Sequence, residues 1–254
     1  MTRRHEQVDV DRVGVNDAVL HYLDVIYRLT QDGQPANTTE IAAKLGVTPS
    51  GASVMLRRLA ERKLVELTPY KGALLTPQGR QIALRTIRRH RLLEMFLHKV
   101  MGFAWDEVDE HAHALETVIN EQFEDRMDEM LGHPTRCPHG HLIPAKDGTL
   151  PPANDVPLLE QPIGTTGIIR CIDTDNNAWL RYFGEQGLVP GVQVSLREVA
   201  PYGGPVSLET PHGLVILGRN LAELILIEVM PPEAAAQQTT PQHIPSGQPF
   251  SDHR

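Results

Sequence analysis

The sequence predicts a mainly α-helical protein carrying two small β elements, and three observations lead there. Within the first 76 residues, three short helical patterns are followed by two β-rich runs. Residues 77–131 then hold two long helical runs. From 164 to 229 the pattern changes to short β-type runs separated by glycines, the spacing of a small antiparallel barrel.

Asn16-Asp17 offers an N-cap for a helix over 18–29, in which Leu20, Leu23, Ile26, Tyr27 and Leu29 recur at helical spacing. Asp32-Gly33 falls in the turn that ends it. A second helix is predicted from about Thr39 to Leu45, capped by Thr38 and stopped by Gly46. Thr48 caps a third, with Pro49 in its first position, running to about Lys63. Runs 65–68 and 73–76, joined by Pro69-Tyr70-Lys71-Gly72, read as a hairpin. That order is a winged helix-turn-helix. Thr76-Pro77 opens a helix to about Val100, and one further helix is predicted from about Trp105 to Leu131. Residues 134–161, rich in Pro, Gly and His, read as a linker or irregular loop. The β-type runs are 166–172, 193–199, 206–209, 214–217 and 224–229. The ends, 1–15 and 231–254, are expected to be poorly ordered. The division expected is 1–76, a helical 77–140, a linker 141–160, a β domain 161–230 and a tail 231–254.

With 41% hydrophobic and 22% charged residues, the 254-residue chain has the composition of a soluble globular protein. It has no apolar run of membrane-spanning length, and residues 1–6 lack a signal peptide's apolar core. Cys137 and Cys171 make no disulfide framework, so a cytoplasmic location is expected, with no membrane partner. The net charge of −8 conceals an asymmetry. Residues 1–99 carry 16 Lys/Arg against 10 Asp/Glu, whereas residues 100–135 carry one Arg against 10 acids. A basic leading part suits nucleic acid despite the overall sign.

In a helix-turn-helix the second helix of the motif enters the major groove by its N-terminal end. Here that end offers Thr48, Pro49, Ser50, Gly51, Ser53 and Val54: small groups for close approach, hydroxyls for bases or phosphates, and an apolar contact for thymine. Arg57 and Arg58 follow one turn later, Tyr70 and Lys71 sit on the wing, and Thr38 opens the preceding helix. The expected partner is double-stranded operator DNA. The sparse base-reading set points to phosphate contacts and DNA shape as sources of specificity. A winged helix that only docks protein is the alternative.

Three helices pair a His with carboxylates on one face. His21 and Asp24 are i, i+3, and His90 and Glu94 are i, i+4. Asp109, His113 and Glu116 fall within about 60° of arc at 100° per residue, beside an apolar face of Ala112, Leu115, Ile119 and Phe123. Such pairs are commonly solvent-facing ion pairs; three in one chain make a site for a divalent metal equally tenable, and imidazole with carboxylate suits a borderline or hard ion. No His-Glu-x-x-His, Gly-x-Ser-x-Gly or Walker loop is present, so an enzyme is not expected. Cys137, His139 and His141 fall within five residues, but a structural zinc site takes four ligands and only Cys171 remains as a thiol. An ordered linker loop is the reading preferred there.

Several stretches resemble the diphtheria toxin repressor family of iron- and manganese-dependent regulators: residues 22–27, 41–50, 75–79, 89–94 and 132–140. Residues 188–192, 202–205 and 222–225 resemble its C-terminal SH3-like domain. The resemblance implies a homodimer built on helices 77–140, metal-dependent repression of metal-homeostasis genes, and ligand roles for His21, His90, Glu94, His113 and Glu116. It further implies an acidic ligand at Asp24 of the manganese-sensing type, and it sets Asp109 at an ancillary position. Where iron sensors carry sulfur this chain has His21 and His113, and where members carry a second His it has Thr117. Loss of sulfur leans towards Mn(II), with Fe(II) as the alternative. An organic-ligand regulator and a metal-binding adaptor that does not read DNA are the remaining rivals.

Overall fold

In the computed structural model, residues 16–68 and 70–231 are described; both expected disordered ends lie outside these residues, apart from Pro231. The chain divides into two compact units. One takes residues up to Ala153 together with Asp175–Arg181, and the other Asn154–Thr174 and the residues from Tyr182 on.

The first unit opens with α1 (Asp17–Leu29), whose cap Asn16 accepts from the Val19 amide. α2 spans Thr38–Lys44 and α3 Pro49–Glu61. The cap of α2 is Asn37, not Thr38, because Asn37 and Glu40 form a reciprocal capping box. Thr48 caps α3 through the Gly51 amide. Strands β1 (Val65–Thr68) and β2 (Gly72–Leu75) pair antiparallel as the wing. Ala36 and Ala73 exchange two backbone hydrogen bonds of 2.9 Å, tying the wing's base to the segment before α2. Gly72 permits this approach, since a Cβ there would lie 1.9 Å from the Ala36 carbonyl oxygen.

α4 (Pro77–Lys99) is the spine of the unit. Its first turns pack with α1, α2 and α3 around Leu23, Ile26, Ile41, Leu59 and Ile82, all buried. Its last turns pack with α5 (Val108–Leu115) and α6 (Glu121–Met130) around Leu92, Leu93, Leu97, Ala112 and Met127. The single helix expected over 105–131 is thus two. Asn120 re-caps the chain by accepting from the Phe123 amide, which starts α6 in a new direction. The apolar stripe read across the break does not hold: Ala112 is buried, but Leu115 and Phe123 are exposed. The stretch expected as a linker is packed at its start, with Ile143 and Pro144 buried.

The second unit holds an antiparallel six-stranded sheet of order β3-β8-β4-β5-β6-β7. Its strands are β3 (Val156–Pro157), β4 (Thr166–Ile172), β5 (Gln193–Val199), β6 (Val206–Thr210), β7 (Gly213–Leu217) and β8 (Ile225–Val229). A helix α7 (Asn177–Glu185), whose residues up to Arg181 are counted with the first unit, precedes β5, and a single turn α8 (Arg219–Ala222) precedes β8. Among the described residues no helix is long and apolar enough to cross a membrane.

Candidate metal centre and nucleic-acid interface

Side chains from α1, α4, α5 and the loop after α6 form a continuous line of ligand-type groups. The His21 and His113 rings stack with centroids 4.4 Å apart. His113 Nδ1 lies 3.2 Å from one Glu116 oxygen, and the other is 2.8 Å from His90 Nδ1. His90 Nε2 lies 3.2 Å from Asp109 and 3.5 Å from Glu94. The same Glu94 oxygen is 3.1 Å from His139 Nδ1. Beyond it, Cys137 Sγ lies 4.0 Å from His139 Nδ1 and 3.9 Å from His141 Nδ1. Three subsets have ligand atoms all within 4.8 Å of one another: His21–His113–Glu116, His90–Glu94–Asp109 and Cys137–His139–His141.

Arginines on α4 hold this line in register. Arg88, buried, pairs with Glu124 and Asp128 at 3.0 Å each and donates to the Pro144 carbonyl at 2.9 Å. Arg89 reaches Glu124 and the Glu116 carbonyl, both at 3.3 Å. Arg91 donates to the Leu142 carbonyl, fastening the loop that carries Cys137 to His141. His139 Nε2 is 2.7 Å from the Trp105 carbonyl oxygen, to which it donates, so Nδ1 is the atom turned towards Glu94.

The electrostatics are those of a buried anionic pocket held by protons. Burial alone would push the His90 imidazole down, but hydrogen bonds to Asp109, Glu116 and Glu94 overcome it and hold the ring well above its ordinary value. Burial likewise opposes His139, yet Cys137 and Glu94 raise it to about 10. Burial would raise Glu94, but His139 and His90 bring it well below the carboxylate range. Asp109 is lowered against its own burial by His90. Burial and the Glu94 charge push the Cys137 thiol up. The Glu94 carboxylate pairs with the His90 and His139 imidazoles, and Glu116 with those of His90 and His113. A divalent ion could replace the imidazole protons and keep the negative charge compensated, so the donor set fits a metal.

The structure therefore brings together His21, His90, Glu94, Asp109, His113 and Glu116, with Asp109 beside His90 rather than beside His113. Asp24 is not among these grouped ligand atoms; its carboxylate is paired with Arg28 at 3.0 Å. Thr117 is exposed in the turn after α5. In the Cys137–His141 loop, His139 meets Glu94, 45 positions earlier in the chain, a contact that spacing within the loop could not reveal. The concentration of Cys and His in five residues was the signal available.

On the other side of the first unit, α3 and the wing enclose a groove of about 530 Å³ lined by Asn37, Thr38, Ser53, Arg57, Tyr70 and Lys71 among others. Ser50, Gly51, Val54, Arg57, Arg58, Tyr70 and Lys71 are exposed, and Pro49 stands in the first turn of α3. Thr48 spends its hydroxyl on the cap, 3.1 Å from the Gly51 amide, and Arg57 bends back to the Ser53 carbonyl at 3.3 Å.

A winged helix-turn-helix joined to a helical unit with a line of buried His and carboxylate ligands is the build of a metal-responsive DNA-binding repressor. Residues 17–73 match the family described as iron dependent repressor, N-terminal DNA binding domain. Residues 76–145 match the same repressors' metal binding and dimerisation domain, and residues 156–229 match the FeoA domain. The iron-dependent repressor IdeR of Mycobacterium tuberculosis is 30% identical over 227 residues, 84% of this chain and 97% of that one. The diphtheria toxin repressor of Corynebacterium glutamicum is 26% identical over 218 residues, 84% of this chain and 92% of that one. Among solved structures, a manganese-dependent transcriptional repressor in complex with manganese superposes with a TM-score of 0.77 at 34% identity, covering 84% of this chain and all of that one. ScaR with bound Zn2+ gives 0.74 at 29%, covering 84% and 99%. The chain belongs to the diphtheria toxin repressor family of iron- and manganese-dependent regulators. It is a metal-dependent repressor and not an enzyme, and its partners are operator DNA and a second copy of itself. The reading as an adaptor that does not touch DNA falls with the match to the DNA-binding domain.

Proposed function

We propose that the cognate ion is Mn(II), held by His21, His90, Glu94, Asp109, His113 and Glu116, and that it activates the homodimer for operator binding in the cytoplasm. The observation carrying this is the His21–His113–Glu116 group, which joins α1 of the DNA-reading part to α5 of the dimerisation part through imidazole and carboxylate alone. When bound, the ion supplies positive charge and a cross-link between groups otherwise held by protons. The chain's own residues do the rest: α1 carries His21 and packs on α2 and α4, so fixing His21 fixes the orientation of α3 relative to its copy in the dimer. Thr38, Thr48, Pro49, Ser50, Gly51, Ser53, Val54, Arg57, Arg58, Tyr70 and Lys71 would form the DNA-contacting face, with the basic side chains on phosphates. Asp24 enters the ligand set only if it leaves Arg28.

A second ion at Cys137, His139 and His141 is supported by their mutual distances, and a thiolate there would favour a softer ion than Mn(II). The test is operator binding by purified dimer, titrated anaerobically with Mn(II) and with Fe(II), then with excess chelator. Activation by Mn(II) at lower free concentration than Fe(II), reversed by chelator, is the expected result. Equal activation by both overturns the preference, and binding unaffected by chelator overturns metal control.

A further inference from the structure

Asp24 stands one turn past His21 on α1, close enough in sequence to join its cluster, yet its carboxylate is paired with Arg28 and is not among the grouped ligand atoms. Both Asp24 oxygens face Arg28 Nε, at 3.0 and 3.2 Å. The same guanidinium uses its Nη1 on both oxygens of Asp175, at 2.9 and 3.0 Å. Asp175 begins the Asp175–Arg181 segment, which belongs to the first unit with α1. Arg181 anchors the other end of that segment, its Nε donating to the buried Asp106 at 2.9 Å. Asp175 is itself exposed, on a segment anchored at its other end by Arg181. Arg28 thus has two carboxylates, one of them on α1 three positions after His21 and the other outside that helix. The two carboxylates together raise the guanidinium's proton affinity against the opposing effect of its burial.

We propose that Arg28 is an affinity-setting residue that holds the Asp24 carboxylate out of the His21–His113–Glu116 cluster. Asp175 is the acceptor that keeps Arg28 when a metal claims Asp24. This rests on the reading of that cluster as a metal site. An ion entering the cluster must first separate Asp24 from Arg28 before it can use the Asp24 carboxylate as a further ligand. Asp175 lowers the cost of that separation by keeping the guanidinium paired. The device sets the metal concentration at which the protein responds without altering any ligand.

Two opposite signs test it. Mn(II) affinity is measured directly on the full chain, by electron paramagnetic resonance of the free ion, for wild type, R28Q, D175N, D24N and the R28Q/D24N double variant. R28Q is expected to tighten binding roughly two- to fivefold, the order of magnitude set by an ion pair that keeps some contact with solvent. D175N is expected to weaken it, because Arg28 is left with Asp24 alone. The R28Q gain is expected to vanish in the D24N background, whereas a mere change of net charge would act equally there. A metal-free readout accompanies these: thermal denaturation in chelator should give a coupling between Arg28 and Asp24 in a double-mutant cycle. Unchanged or weaker binding by R28Q overturns the proposal. H113A and E116Q separate the two layers. If they lose Mn(II) while R28Q changes nothing, only the arm fails. If they bind as tightly as wild type, the metal site and the arm fail together.

Discussion

The His139 Nδ1 atom lies 3.1 Å from a Glu94 oxygen, across the gap between the spine helix and a loop 40 residues further on. Both groups are buried, and the same carboxylate oxygen also faces His90 at 3.5 Å. Glu94 is thereby shared between the imidazole–carboxylate groups and the Cys137–His139–His141 group.

Glu94→Gln removes the charge that both imidazoles lean on. It is expected to lower metal affinity by about tenfold or more, as loss of a group that orients or supplies ligands does. Calorimetric titration with Mn(II) checks this, and affinity within a factor of two of wild type would contradict it.

The protons in the pocket give the metal-free protein a pH signature. His90 is held above its ordinary value and His139 at about 10. Their stabilisation is complete below the unfolded imidazole pKa of about 6.5 and is lost as pH rises through the folded values. Glu94 is depressed, so its share is present above about pH 4.3 and lost as pH falls through its folded value. In chelator, the Tm should fall between pH 6.5 and 9. With saturating Mn(II) the trend should weaken, because the ion takes the protons' place. A Tm that rises over this interval without metal would rule the assignment out.

Gly79, in the first turn of α4, faces the chain just before β1. A Cβ at this position would stand 2.0 Å from the Leu64 carbonyl oxygen. Gly79→Ala should destabilise the protein by about 1–3 kcal/mol, the usual cost of overpacking. Thermal or urea denaturation measures it, and a stability equal to wild type would mean that α4 can move away freely.

Lys71 on the wing and Val54 on α3 should separate two kinds of DNA contact. Lys71→Ala is expected to weaken binding to all sequences alike and to reduce the salt slope of log K by about one. Val54→Ala is expected to leave the slope intact and relax preference at one base pair. Binding isotherms over a range of KCl distinguish them. An unchanged slope for Lys71→Ala would remove it from the phosphate contacts.

Much of this was legible in the sequence because local rules governed it. Thr48-Pro49 and Thr76-Pro77 each start a helix, and the pairing of His90 with Glu94 follows from helical spacing. The break between α5 and α6 was not legible: the apolar pattern continues through it, and only the Asn120 cap interrupts the helix. The Asn37 capping box was missed because Thr38, the next residue, is also an acceptable cap. Two features depend on contacts distant in sequence: His139 meets Glu94, and Arg28 meets Asp175, which no periodicity within α1 could reveal.

The line of ligands runs from position 21 to position 141 and crosses three helices and a loop. Groups so far apart in the chain meet only once those elements have docked, which makes the pocket a late event on the folding route. An ion bound there would hold together contacts that are absent from the transition state. Metal should therefore act as a brake on the way out, slowing unfolding while leaving the refolding rate nearly unchanged, and chevrons recorded with Mn(II) and with chelator would differ in their unfolding arms. The lifetime of the folded repressor, as well as its grip on the operator, would then follow the metal supply.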